Sequence, residues 1–368
     1  MIRERAKVAL VFPGAVDGVG GAEVQALHYL TSCDRDVIDA RLVLLGRNPT
    51  FEERAASLEF DKVDVLNHSD RHPWHPAVVR EYVAYLKRGR FDLVHLYGLR
   101  QEVVTRAATK YVGDVKVISA IRGMESHRRR QHSVLNQVTS RWVDLWISNS
   151  EETRMLFCKR DGLPFDRIKV VPNGVALPVR EDLARLRHET RGELGVGSED
   201  RVVICVANHF PEKRISDLIA AMAIVDAAMG HCVLVVAGRF TNHTRELESM
   251  ADRSEGRVML LGYRSDVQRL LAASDVMALV SEKEGMPSSV LEGMAAGLPA
   301  VVTPVASLTN LIRDGENGYV VPVGDVGALA ERLETLCRND EEARSFGDQA
   351  RRIVAEEFSI TMTTNRIN

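Results

Sequence analysis

Two carboxylates, Glu284 and Glu292, stand eight residues apart with Gly285-Met286-Pro287-Ser288-Ser289 following the first of them. Proline suits the first helical position, where its missing N–H costs nothing, so the spacing predicts a helix through Ser288. Ser288, Ser289 and Glu292 then fall at i, i+1 and i+4, on one helix face. The unpaired N–H groups at such a helix start attract an anion such as a diphosphate. Glu284 lies just outside that mouth and Glu292 one turn inside, so one carboxylate can serve each side of a phosphate pair. The layout suits a sugar–diphosphate–nucleoside. Taken singly, each Glu reads as well as a surface loop residue or a solvated helical position.

The elements that must position these groups are legible on either side. An apolar strand, 276–280, enters the turn, and the helix stops at Gly297-Leu298-Pro299 before a second strand, 300–302. Similar Val/Ile/Leu runs recur at 8–12, 41–45, 93–96, 115–120, 145–148 and 168–171. After a break they resume at 202–207, 232–237, 258–261 and 318–321. Continuous apolar runs separated by helical patterns predict parallel strands buried on both faces, in two doubly wound α/β sheets. The break lies between Pro172-Asn173-Gly174 and Arg201, around a charged helix near 182–193 and Gly195-Val196-Gly197. The expected division is 1–178, 179–350 and a terminal helix, 351–368.

Glu284-Gly285-Met286-Pro287 through Leu291-Glu292-Gly293-Met294-Ala295, with Gly297 and Pro299, resembles the E-x7-E signature of family 4 retaining glycosyltransferases of GT-B fold. The resemblance extends over nearly the whole chain. It implies two Rossmann-like domains facing a cleft that holds the donor, with a C-terminal helix crossing back to the first. By it, Glu284 contacts the donor sugar, Glu292 the nucleoside ribose, and Ser288–Ser289 the diphosphate. Gly20-Gly21-Ala22-Glu23 resembles the family's G-G-x-E turn, facing diphosphate and acceptor. Lys213 matches the lysine of G-R-L-x-x-x-K-G, while Asn208 stands where that pattern has arginine; Arg214 or Arg239 is the candidate replacement. Gly238-Arg239 resembles A-G-x-G, and Gly262-Tyr263 with Asp266 resembles the base-lining L-G-x-x-x-D. Arg122 takes the place of a histidine that many members set near sugar and acceptor, exchanging a neutral base for a permanent cation. Pro172-Asn173-Gly174-Val175 resembles the family's hinge, read as a turn tolerant of positive φ.

Other signals stay open between structure and chemistry. His95 ends the run Asp92-Leu93-Val94-His95-Leu96, at the carboxyl end where open sheets bind ligands; it reads as a general acid, an acceptor contact or a structural residue. Gly18-x-Gly20 begins a dinucleotide fingerprint, but Glu23 fills the third glycine's place, against a nicotinamide site. Gly20-Gly21 then reads as a close-approach turn for a phosphate or sugar. Asp34-Arg35-Asp36 could hold a divalent metal, yet it follows no apolar strand and reads as a solvated loop. Asp266 is expected to cap the helix that follows it. Residues 100–141 carry nine Lys/Arg, Arg128-Arg129-Arg130 among them, against three acids. That bias suggests an anionic acceptor or an anionic membrane surface, or simply a solvated helix face.

Composition bounds the rest. The 368 residues are 45% hydrophobic and 27% charged, an ordinary globular balance with room for two or three cores. A net charge of -3 argues against general nucleic-acid binding. Five scattered cysteines without a C-x-x-C pair read as free thiols of a reducing compartment. No apolar run approaches 18 residues, and the first strand is too short for a signal core. The expectation is a cytoplasmic enzyme, with peripheral contact at the inner membrane face through Arg128, Arg129 and Arg130 as an added possibility. It uses no metal and no cofactor beyond a nucleotide-diphosphate sugar, UDP favoured over GDP, and a glycan, lipid-linked or small-molecule acceptor. Two alternatives are an epimerase of the same fold and a catalytically silent nucleotide-sugar-binding subunit.

Overall fold

The computed structural model describes residues 5–14, 19–66, 75–122, 130–254 and 257–367. The chain divides into two compact units, 1–174 with 360–368, and 175–359.

Among the described residues unit 1 holds seven parallel strands: β1 (Ala6–Phe12), β2 (Ile38–Leu44), β3 (Val63–Val65), β4 (Leu93–Leu96), β5 (Lys116–Ile121), β6 (Leu145–Ser148) and β7 (Ile168–Val170). Their spatial order is β3-β2-β1-β4-β5-β6-β7. Successive residues of β1 enter opposite cores: Val8, Leu10 and Phe12 pack on one face, Ala9 and Val11 on the other. That is the period-2 alternation of a strand covered on both sides, which the unbroken apolar run required. Of the seven, only β3 escapes the sequence. It has three residues, Val63-Asp64-Val65, at the sheet edge, and Asp64 is held there by Arg41 and Tyr85.

Unit 2 holds six parallel strands: β8 (Arg201–Val206), β9 (Cys232–Ala237), β10 (Val258–Leu260), β11 (Val276–Leu279), β12 (Ala300–Val302) and β13 (Gly318–Val320). Their order is β10-β9-β8-β11-β12-β13. Both sheets therefore reverse winding once, between β1 and β4 and between β8 and β11. In an open α/β sheet the crevice beyond such a reversal is where ligands bind.

The unit boundary falls at Gly174–Val175 rather than at 178, and the return at Ser359–Ile360 rather than at 351. The tail is two helices, not one. Asp340–Glu357 belongs to unit 2, where Ile353 and Val354 enter the core and Arg351 donates to the carbonyls of Ala295 and Pro178, 2.5 Å each. Only Ile360–Ile367 returns to unit 1, where it packs on the helix Gly21–Ser32.

The 172–175 segment needs no positive φ, contrary to expectation. Gln25 clamps Gly174 with two 2.8 Å hydrogen bonds, its amide donating to the Gly174 carbonyl and its carbonyl accepting from the Gly174 N–H. Glycine is required by proximity instead: a Cβ there would lie 2.7 Å from Thr363 Oγ1.

Among the described residues, no helix is long and apolar enough to cross a membrane.

Candidate functional site

In unit 2 the expected donor residues come together at the carboxyl ends of β8 to β11. Pro211–Lys213 forms one 3-10 turn after β8, closed by Arg214 in the left-handed region at φ 50°. Ser281 to Pro287 follows β11, the neighbouring strand. The two loops are tied by the Glu282 N–H donating to the Glu212 carbonyl, 2.8 Å. They are joined again by the Lys213 ammonium on Glu284 Oε1, 2.6 Å, with side chains only 20% and 10% exposed. Lys213 and Glu284, 71 residues apart in sequence, are thus one ion pair in the fold.

Beyond Glu284 the chain enters the helix Ser288–Ala296. Pro287 stands one position earlier than expected, as the extended residue preceding the first turn, with φ -72°. Pro287 makes no side-chain cap at this helix start. Ser288, Ser289, Glu292 and Ala296 are the partly exposed positions, and Val290, Leu291, Gly293, Met294 and Ala295 are buried. The i, i+1, i+4 face read from the sequence is therefore the outward one. Gly293 lets the helix lie close on β11, since a Cβ there would meet Met277 Sδ at 2.3 Å. Glu292 also borders a small cleft shared with Gln268, Leu271, Pro178 and Leu183.

The loops after β8 and β9 shape the adjoining wall. Asn208 Oδ1 accepts the Arg239 N–H at 2.9 Å, so its amide NH2 points away from that bond. Gly238 could not be any other residue, because a Cβ would sit 1.9 Å from the Ala207 carbonyl oxygen. Of the two candidate replacement cations, Arg214 is consumed by Asp217 and Glu282, at 2.6 and 2.8 Å. Arg239 forms no ion pair among the described residues. Tyr263, 39% exposed, follows Gly262 at φ +69°. Asp266 does not cap the next helix with its side chain; its carboxylate takes the Arg264 guanidinium at 2.6 and 2.7 Å instead. That bond holds the Asp266 carboxyl below the usual carboxylate range.

In unit 1, Gly20 precedes the helix Gly21–Ser32 with extended backbone, φ -102°, so it is no left-handed turn. Glu23 folds back to accept the Gly20 N–H at 3.1 Å, so a side-chain carboxylate occupies that helix mouth. Gly18 lies outside the described residues.

His95 is buried, its ring tilted against Tyr97 with ring centres 4.5 Å apart, and its Nε2 has no partner among the described residues. Burial, then the charge of Arg122, holds its imidazole neutral, down to about 3. A histidine so placed is a poor proton donor at neutral pH. Arg122, at the end of β5, lies over the Tyr97 ring at 5.6 Å and donates to Asn173 Oδ1 at 2.8 Å. The family-histidine position is therefore filled by a cation bracing the 172–175 segment, its Nε without a partner among the described residues.

Two charges counted in that stretch of 100–141, Arg106 and Glu102, are not on the surface. Arg106 is fully buried over the Trp146 ring, bonded to Glu102, Ser119, Asn136 and Thr139. Arg128 and Arg129 lie outside the described residues, and Arg130 opens the helix Arg130–Thr139. Asp34 and Asp36 sit in an exposed turn, where Asp34 Oδ1 accepts the Asp36 N–H. Ser150 caps the helix Glu151–Asp161 through the Thr153 N–H, as its residue type predicts.

Three contributors carry no sequence signal of their own: Tyr97, Asn173 as the partner of Arg122, and Ser281, whose Oγ reaches Glu284. Each is defined by a neighbour distant in sequence or by a loop's local path.

Residues 19–177 match the family described as Glycosyltransferase Family 4, and 187–353 match Glycosyl transferases group 1. The chain is 26% identical to an N-acetyl-alpha-D-glucosaminyl L-malate synthase of Bacillus anthracis, over 78% of this chain and 76% of that protein. It is 23% identical to an Escherichia coli UDP-Gal:alpha-D-GlcNAc-diphosphoundecaprenol alpha-1,3-galactosyltransferase, covering 77% and 75%. The fold matches the crystal structure of Anabaena Alr3699/HepE in complex with UDP and glucose, with TM-score 0.85, 21% identity and coverage of 99% and 98%. Both sheets of the present chain are thus those of a GT-B protein.

The neutral, buried His95 makes a stability prediction. Its folded pKa is depressed, so between about 3 and the ordinary 6.5 the unfolded chain binds a proton that the native one does not. Stability therefore drops as pH is lowered through that window, by up to about 1.4 kcal/mol per unit from this group. His95→Gln should flatten the acid branch by that slope in urea titrations from pH 7 to pH 4. An unchanged slope would place the imidazole in contact with water.

Proposed function

Because the chain belongs to the family 4, group 1 glycosyltransferases of polysaccharide and glycoconjugate biosynthesis, we propose that it is a retaining hexosyltransferase using a UDP-sugar. The observation that carries the reading is the Lys213–Glu284 pair at the mouth of the helix Ser288–Ala296, with Glu292 one turn inside. The physical task is to let a diphosphate leave while positive charge grows on the anomeric carbon. Lys213, the Ser288–Ser289 amides, the Asn208 amide and Arg239 supply fixed positive ends for that leaving group, and preorganised electrostatics of this kind usually dominate. Glu284 is assigned to the donor sugar, Glu292 to the ribose, and Tyr263 to the base. The preference for uridine rests on the UDP-bound neighbours and on the relative named for UDP-Gal. The acceptor is assigned to unit 1, near Gly20, Gly21 and Arg122, and is a glycan, a lipid-linked sugar or a small molecule.

The two glutamates should fail differently. The sugar changes geometry as its bond breaks, so a contact from Glu284 can strengthen in the transition state, whereas the ribose contact of Glu292 is uniform binding energy. A hydrogen bond to a charged group contributes about 1.5–3 kcal/mol, or roughly 10- to 100-fold. Glu284→Gln should lower kcat by that factor with UDP affinity nearly kept. Glu292→Gln should weaken both UDP-sugar and UDP, with a smaller loss of kcat. Calorimetry with UDP beside steady-state kinetics separates the cases, and the reverse pattern would exchange the roles. Proton NMR of the product's anomeric centre checks retention.

Charge on the leaving diphosphate is met here by protein groups, so transfer should persist in EDTA. Activity lost to the chelator and restored by Mg²⁺ or Mn²⁺ would return the question to Asp34 and Asp36.

For a lipid-linked acceptor, Arg128, Arg129 and Arg130 are the proposed bilayer contacts, each contributing about 1 kcal/mol near an anionic surface. Changing all three to Ser should weaken sedimentation with phosphatidylglycerol vesicles and spare donor hydrolysis. Equal sedimentation of both proteins would remove the membrane contact.

A further inference from the structure

Glu284 is held by more than Lys213. Ser281, two residues past the end of β11, is 0% exposed, and its Oγ–H donates to Glu284 Oε1 at 2.6 Å. Lys213 donates to the same oxygen at 2.6 Å. Ser281 is in turn fixed by Thr303, just beyond β12 and 1% exposed, whose Oγ1–H donates to the Ser281 carbonyl at 2.6 Å. Because β11 and β12 are paired neighbours, their ends bring the Thr303 hydroxyl to the Ser281 carbonyl although 22 residues separate them. No group among the described residues bonds Oε2.

We propose that Ser281, fixed by Thr303, is a positioning residue that loads Glu284 Oε1 and so presents Oε2 to a hydroxyl of the donor sugar. The terminal torsion of a Glu side chain is broad and roughly two-fold, so packing alone leaves its carboxylate free to rotate. Two donors converging on one oxygen remove that freedom before the ligand arrives. The lone pairs of Oε2 remain free to accept a sugar O–H. Nothing then needs to reorganise as the anomeric bond breaks, the condition under which such contacts contribute most. The buried hydroxyls also explain themselves this way: each would be a costly unsatisfied group if its partner were absent. This proposal rests on the glycosyltransferase reading for the identity of the hydroxyl, but not for the geometry of Glu284.

The test is a mutant cycle on the full chain with UDP-sugar and UDP. Ser281→Ala should lower kcat about 10-fold while the Kd of UDP stays within about two-fold. Thr303→Val should act in the same direction, and Thr303→Ser, which keeps the hydroxyl, should restore wild-type rates. The double variant Ser281→Ala/Glu284→Gln should be no slower than Glu284→Gln alone, because Ser281 acts through that carboxylate. Losses that multiply instead would overturn the proposal, as would an unchanged kcat in Ser281→Ala. Ligand-free crystals of wild type and Ser281→Ala add a measurement independent of activity. Glu284 should keep one rotamer in the first and divide between rotamers in the second, and a single unchanged rotamer in both would overturn it. If wild type transfers sugar from no nucleotide donor, the functional reading fails, and the rotamer comparison alone decides the positioning role.

Discussion

The contact between Lys213 and Glu284 sets the terms for everything around it in unit 2. Both side chains are largely shielded from water, and removing charges from water costs several kcal/mol per ion unless geometry and further hydrogen bonds offset it. Here the offset has identifiable sources. The strand order puts the ends of β8 and β11 side by side, the Glu282–Glu212 backbone bond holds their loops together, and Ser281 supplies a second donor to the carboxylate. The site is therefore charge-balanced before any ligand arrives. On the proposed function, a leaving diphosphate would meet a lysine already paired and share it with the carboxylate assigned to the sugar. The Asn208 amide NH2 and the Arg239 guanidinium form no ion pair or side-chain hydrogen bond among the described residues that would hold them back.

Unit 1 uses its charges differently. Arg106 looks like surface charge in the sequence, but the fold encloses it over Trp146 with Glu102, Asn136, Ser119 and Thr139 meeting its guanidinium. Arg's planar fork suits such a buried, many-partnered position in a way a lysine would not. Arg122 is also structural in part, bridging Tyr97 and Asn173, and its charge helps keep His95 neutral. The departure from the family's histidine is thereby coupled to the 172–175 segment. That segment is held from another side by the Gln25 clamp and crowded by Thr363 of the returning helix.

Much of this molecule is determined by the sequence alone. Of the thirteen strands among the described residues, twelve announce themselves as apolar runs, because strands covered on both faces have no polar alternation to hide behind. The outward face Ser288, Ser289 and Glu292 follows from helical periodicity; the reason for glycine at 238 and 293 shows only in the fold, where a Cβ would strike Ala207 and Met277. What sequence could not decide are the pairings between residues far apart along it. Periodicity reports which way a side chain faces, not which distant group meets it there. So Lys213 with Glu284, Ser281 with Thr303, and Arg122 with Asn173 were settled only when parallel strand order brought their loops side by side. The same holds for burial: Arg106 and His95 have the residue types of an exposed patch and a proton donor, and only their enclosure in the core made one a structural cation and the other a neutral ring.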